Sequence, residues 1–170
     1  MKKLTFFIAL LLFTTLIYSQ YTNSDIKLIY SGLHFKIPKD NIAIGSNGGK
    51  DNFLVFKYSD QPQKKYIAFS KMLREPGVKY NCELSIFIKD AFLKKNDSVC
   101  NHNELDSFNK VFLANTDNGV WEGKGTTLYY TISSKDIFLF IVDPHGTVIK
   151  IDTDFVDKNG LKRIVSDITN

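Results

Sequence analysis

Short runs in which apolar and polar residues alternate fill the chain from residue 26 onward. Residues 26–30 and 33–37 have the period of two that a half-buried strand requires, with Ser31-Gly32 as the bend between them. Pro38-Lys39-Asp40-Asn41 ends that run, and "GSNGGKDN" at 45–52 reads as a glycine-rich turn. Two further strands, 53–58 and 66–72, flank the loop "SDQPQK". In the last third, 120–133 reads as one long strand entered by a turn at 117–119. Residues 137–142 and 147–152 then form a hairpin around "DPHG", with Pro at the second turn position and Gly at the fourth.

The middle of the chain changes period. Residues 82–95, "CELSIFIKDAFLKK", carry apolar side chains at 84, 87, 88 and 91, the spacing of one helix face. Asn81 is placed to cap that helix, and Glu83 suits its first turn. Tyr80, Cys82, Leu84, Ile86 and Ile88 also alternate as a strand would; the extension of the apolar face through Ala91, Phe92 and Leu93 favours the helix. A second helix is expected over 103–113, where Leu105, Phe108, Val111 and Phe112 share a face. "NGLKRIVSDI" repeats the helical spacing at Leu161, Ile164, Val165 and Ile168 and reads as a closing helix. Strands cluster rather than alternate with helices. That order predicts an α+β fold: an antiparallel sheet of about six to seven strands with two central helices and a C-terminal helix packed on it.

The first 20 residues follow a different rule. Lys2 and Lys3 precede an apolar run over 4–17, and Tyr18-Ser19-Gln20 return the chain to polar character. A basic start, an apolar core and a small residue near the end describe a secretory signal peptide, with cleavage expected after Ser19. The run is shorter than the roughly 20 apolar residues a bilayer span needs, so no stable membrane span is expected once the signal is removed. The reading therefore divides the chain into a signal peptide at 1–19 and a single domain at 20–170, placed in the periplasm or outside the cell.

Export changes the meaning of the two cysteines. Cys82 and Cys100 form an even count in an oxidising compartment, which reads first as a disulfide. The helix over 82–95 would carry the chain about 20 Å from Cys82. The five residues before Cys100 can return about 17 Å when extended, so the bridge is geometrically feasible. It would close a loop of about 18 residues and stabilise by roughly 3 kcal/mol in the chain-entropy model. A metal site is the competing reading, because Cys100-Asn101-His102 puts two soft ligands close together; the paired knuckles of structural zinc sites do not occur.

Charge and motifs exclude several classes. The net charge of +4 falls further when Lys2 and Lys3 leave, and the remaining lysines are interleaved with acids. No basic tract points to nucleic acid. "GKGTT" at 123–127 resembles a phosphate loop, but Gly125 stands where Ser or Thr is needed, Asn118 stands where the first Gly is needed, and β-branched residues follow in place of a helix. "DTDFVDKNG" at 152–160 fails the EF-hand in both registers and reads as an acidic lead into the last helix, with a loose calcium site as the alternative. His34 lies in a strand, on the face opposite Leu33 and Phe35, and His145 sits at a hairpin tip. No pattern of a serine, cysteine or zinc hydrolase accompanies His34, His102 or His145. No cofactor, metal site or catalytic set is expected.

Aromatic content is the remaining signal: 14 Phe, eight Tyr and one Trp. Most Phe must be core. Under strict alternation along 120–133, Trp121, Gly123, Gly125 and Tyr129 share one face. That face is either a second buried one or an open aromatic strip with a shallow groove at the glycines, fit to anchor a partner. Trp121, Tyr129, Lys124 and His145 are the candidate partner-binding residues.

"SGLHFKIPKDN" near the mature start resembles the opening strand of PsbP-like α+β domains. "TLYYTIS", "IFLFIV" and "TVIKID" followed by "LKRIVSDI" resemble their closing sheet and final helix. The resemblance covers roughly the first fifteen and last fifty residues of the mature chain. It implies a largely non-enzymatic group whose bacterial relatives include envelope and secretion-accessory proteins. In size and lone disulfide the chain is also similar to small exported immunity proteins, which block toxins in the periplasm. The function expected is therefore a non-catalytic binding protein that docks a protein partner. A carrier of a small apolar ligand is the alternative, and a small hydrolase comes third.

Overall fold

The structure is a computed structural model that describes residues 25–169. The expected signal peptide and its cleavage site lie outside the described residues. Among the described residues, nine strands and four α-helices follow in the order β1 (Ile26–Tyr30), β2 (Leu33–Ile37), β3 (Ala43–Ser46), β4 (Leu54–Lys57), β5 (Tyr66–Lys71), α1 (Leu84–Leu93), α2 (His102–Phe108), a π-helical turn (Asn109–Leu113), β6 (Asp117–Glu122), β7 (Thr127–Ile132), β8 (Ile137–Val142), β9 (Val148–Thr153), α3 (Lys158–Ile164) and α4 (Ser166–Thr169). Seven strands form one antiparallel sheet in the order β3-β4-β5-β9-β8-β7-β6, while β1 and β2 form a separate hairpin. The α+β architecture follows the clustering of strands in the sequence.

Each face of the sheet has its own cover. Leu128, Leu139, Ile141, Ile149 and Ile151 point to one face, where Phe35 and Ile37 of β2 and Leu161, Ile164 and Val165 of the C-terminal segment close over them. Tyr129, Phe140 and Val148 point to the other, under Phe87, Ile88 and Phe92 of α1 and Leu105 and Phe108 of α2. Burial on both faces explains "IFLFIV", an unbroken apolar run in which alternation is invisible.

The helical layer is fastened by Cys82–Cys100, whose Cα atoms lie 5.0 Å apart. The return loop is tied from within. Lys94 takes φ +50° and ends α1, with N–H groups of Lys94 and Lys95 donating to the carbonyls of Ala91 and Asp90. Ser98 donates to the buried Asp90 carboxylate at 2.7 Å and accepts the Cys100 N–H at 3.0 Å. Because Cys100 spends its sulfur on Cys82, the Cys100/His102 metal reading loses its thiolate.

Several expectations are corrected. Asn81 does not cap α1; it takes φ +60°, and Glu83 occupies the cap position without a side-chain bond. The turn expected over 45–52 begins later, because Gly45 and Ser46 belong to β3, an edge strand too short and too exposed to show a pattern. The stretch 120–133 is not one strand but the β6–β7 hairpin. Gly123 donates to the Thr126 carbonyl at 2.9 Å and Gly125 adopts φ +70°, which turns the chain at Lys124-Gly125. The expected turn at 117–119 is instead the start of β6. "DPHG" does turn as expected, with Gly146 donating to the Asp143 carbonyl at 3.0 Å. Asp157 caps α3 through the Gly160 N–H at 2.7 Å, which accounts for the acidic lead.

Gly119 sits directly across from Tyr130, and a Cβ there would lie 2.7 Å from the tyrosine oxygen and 2.9 Å from Cζ. Gly119→Ala is expected to cost about 1–3 kcal/mol, the usual range for overpacking. Gly45→Ala, where the nearest atom is Val55 Cγ1 at 3.4 Å, should stay within about 0.5 kcal/mol. Urea denaturation of the two variants checks this.

Candidate functional site

The hairpin at 117–132 decides where the sequence-selected residues go. Cross-strand partners share a face, and Trp121 pairs with Leu128, so Trp121 joins the side of Leu128 and Tyr130. Tyr129 goes to the opposite side, beneath α1. The open strip of Trp121, Gly123 and Tyr129 therefore does not form. Strict alternation failed because the chain reverses between the two aromatics.

Trp121 is half-buried and stacks on Tyr130 with centroids 4.6 Å apart. Lys162 lies 5.4 Å above the indole ring. Lys158 donates to the Tyr130 hydroxyl at 2.8 Å and to Asp117 at 2.9 Å. The two lysines come from α3 and its last turn, and they clamp the end of the C-terminal layer onto β6 and β7. Tyr129 is 4 % exposed, with Phe92 at 5.2 Å. Burial, then the Glu122 carboxylate, pushes its hydroxyl above the ordinary tyrosine value.

Lys124 and His145 are exposed, and their two hairpin tips meet. A Cβ on Gly125 would touch Pro144 Cγ at 3.4 Å, and one on Gly146 would touch Ser85 Oγ at 3.4 Å. These contacts bring the β6–β7 tip, the β8–β9 tip and the start of α1 together. A groove of about 400 Å³ runs between α1 and the outermost strands, with Ile86 and Leu93 on the helix side and Val120 and Thr127 on the strand side. Tyr129 and Val142 form its floor, and Lys89 and Glu122 stand on its rim.

Three large apolar residues are left open here: Ile86 is 41 % exposed, Leu93 49 % and Val120 38 %. Val120 belongs to β6, the end strand of the sheet. Among the described residues, one side of its backbone therefore has no strand partner. An apolar groove thus lies beside unpaired backbone donors and acceptors. Sequence reading selected Tyr129, Lys124 and His145 from this region but missed Ile86, Leu93 and Val120. The competing strand pattern grouped Ile86 with Leu84 and Ile88, and Leu93 was read as prolonging the buried helix face.

Farther across the helical face, Tyr66 donates to Asp152 at 3.0 Å, and Lys150 lies 3.9 Å from the same carboxylate. Burial raises the Asp152 pKa, opposed by the Tyr66 hydrogen bond and by Lys150. A raised native pKa means that the folded state holds this proton longer than the unfolded chain. Its relative advantage is present at low pH and is lost as pH rises through the native pKa. Asp152→Asn keeps an acceptor for Tyr66 and removes the charge. The variant should therefore gain stability over the wild type as pH rises from the ordinary aspartate range through the raised native pKa and then hold a plateau. Parallel urea titrations across that range measure it.

Among the described residues, no helix is long and apolar enough to cross a membrane. Comparison with protein-family models, with curated proteins and with solved structures finds no match to this chain.

Proposed function

We propose that this is an exported, non-catalytic binding protein that docks a protein partner, in its concrete form an immunity-type inhibitor of a toxin. The observation that carries the reading is the groove beside β6, where Ile86, Leu93 and Val120 stay exposed next to strand backbone that no strand among the described residues pairs. An extended segment of a partner matches both features. Its backbone would add an eighth strand on β6, and its alternate side chains would enter the groove between α1 and the sheet. Lys89 and Glu122 on the rim favour a segment with charges of both signs and so fix its register. Lys124 and His145, on the tips at the groove's end, would meet the partner as it leaves the strand. The opposite edge strand, β3, also exposes Ile44 but offers only four residues of ladder.

The apolar-carrier reading gains less support. The space between sheet and helices is occupied by interlocking rings: Phe92 lies 6.0 Å from Phe140, Phe108 lies 5.5 Å from Phe140, and Phe112 lies 5.6 Å from it.

Mixing the disulfide-bonded protein with the products of genes adjacent to its own tests the proposal. One of them should form a complex burying about 1,200–2,000 Å². Val120→Lys and Leu93→Glu should each weaken it at least about tenfold, since apolar anchors at an interface centre carry most of the affinity. Both sites are exposed, so both variants should keep wild-type stability within about 0.5 kcal/mol. A monomer inert to every neighbouring product, or a complex indifferent to both substitutions, contradicts it.

A further inference from the structure

The chain contains Asn-Gly at 47–48, 118–119 and 159–160. The dipeptide has a chemistry of its own. Glycine carries no side chain to shield its amide nitrogen, which can close on the Cγ of the preceding asparagine. In sequence the three sites are equivalent. The fold makes them different.

Asn118 and Asn159 are held. Asn118 lies in β6, and its Nδ2 donates to the Thr116 carbonyl and hydroxyl, each at 3.1 Å. Gly119 stands in register with Tyr130 of β7. Asn159 lies in the first turn of α3, where the Gly160 N–H donates to the Asp157 carboxylate at 2.7 Å. Ring closure at either site must first undo a strand pairing or a helix turn, and that opening costs free energy before any chemistry begins.

Asn47 is placed differently. It follows the end of β3, and Asn47, Gly48 and Gly49 are all exposed. Among the described residues, the Gly48 N–H meets only the Ser46 hydroxyl, at 3.4 Å. Gly48 takes φ +61°, and a Cβ there would meet nothing within 4 Å, so the attacking nitrogen sits on backbone with room to turn. The group it attacks is fixed. Asn47 Oδ1 accepts the Gly49 N–H at 2.9 Å, and Nδ2 donates to the Asp51 carboxylate at 3.4 Å. Negative charge develops on Oδ1 as the Gly48 nitrogen adds to Cγ. A backbone N–H already aimed at that oxygen stabilises the charge without reorganisation. The far end of the loop stays anchored, because the Lys71 N–H donates to the Asp51 carbonyl and the Tyr30 hydroxyl to the Asn52 carbonyl, both at 2.6 Å.

We propose that Asn47 is a self-modification site, converted to aspartate and isoaspartate by its own backbone. A solvent base removes the Gly48 amide proton, the nitrogen bonds to Cγ, and Nδ2 leaves as ammonia after taking a proton from water. Water then opens the succinimide at one carbonyl or the other. One water is consumed and one ammonia released, and the loop gains a carboxylate beside Asp51. The site lies next to β3, at the opposite end of the sheet from β6, so it stands independently of partner docking.

The test incubates the disulfide-bonded protein in mildly alkaline buffer over days and maps its peptides by mass spectrometry, with fragmentation that separates isoaspartate from aspartate. In the folded protein, conversion at Asn47 should outpace that at Asn118 and at Asn159 by at least about tenfold. In guanidinium chloride the three rates should converge, since only the fold separates them. Comparable rates at the three sites of the folded protein overturn the proposal. So does an Asn47 that stays intact in the folded protein while it converts in the denatured chain.

Discussion

Strands β7, β8 and β9 bury apolar residues on both faces, although β9 follows Val148 with Lys150 and Asp152 on the helical side, and most of the structure follows from having to cover two faces at once. Tyr129 and Tyr130, or Leu139 and Phe140, are neighbours in sequence yet belong to different cores. One core is closed by the β1–β2 hairpin and the C-terminal helices, which come from the two ends of the described chain. The other is closed by a single insertion between β5 and β6. Local devices hold that insertion: the bridge between the entries to α1 and α2, the Asp90–Ser98–Cys100 chain of hydrogen bonds, and a packed set of phenylalanines.

The helical layer covers only part of its face, and this incompleteness creates two hollows. α1 crosses Tyr129 and Phe140 and lies near β6 without filling the space between them, which leaves the groove. α2 and its π-helical continuation set Phe108 and Phe112 on Phe138 and Phe140 and leave a cleft toward β5 and β9. A π-turn adds a residue to the helical repeat and is often found where a helix must realign its side chains. Here Thr131 donates to the Phe112 carbonyl within that turn and ties it to β7. The apolar residues left at the rims, Ile86, Leu93 and Val120 on one side and Val111 on the other, are what a soluble domain hides unless something else covers them.

Much of this was legible in the chain itself. β1, β2 and β8 match the periodic runs closely, because alternation or a continuous apolar run is what their burial imposes. The bridge was legible from the cysteine count and the reach of the chain. The β6–β7 turn was not. Lys124-Gly125 lies between residues that continue the β pattern on both sides, and Thr126 and Thr127 favour a strand as strongly as their neighbours do. Missing that reversal moved Trp121 to the wrong face and merged two cores into one imagined strip. Gly119 held the clue: a glycine opposite a tyrosine signals a ring lying across the backbone, which needs a partner strand. The buried face of α1 was legible from its period, since Leu84, Phe87, Ile88 and Ala91 are all buried; Leu93, read as prolonging that face, stays exposed at the helix end.

The central claim is that the helical layer is held on the sheet by its own fastening, independently of the layer on the other face. Native-state hydrogen exchange on the oxidised and reduced protein tests it most directly. The account predicts that reducing Cys82–Cys100 speeds exchange in α1 and α2 by at least about tenfold, while β8, β9 and α3 keep their protection. Equal acceleration throughout the molecule, or no change in α1 and α2, would contradict it.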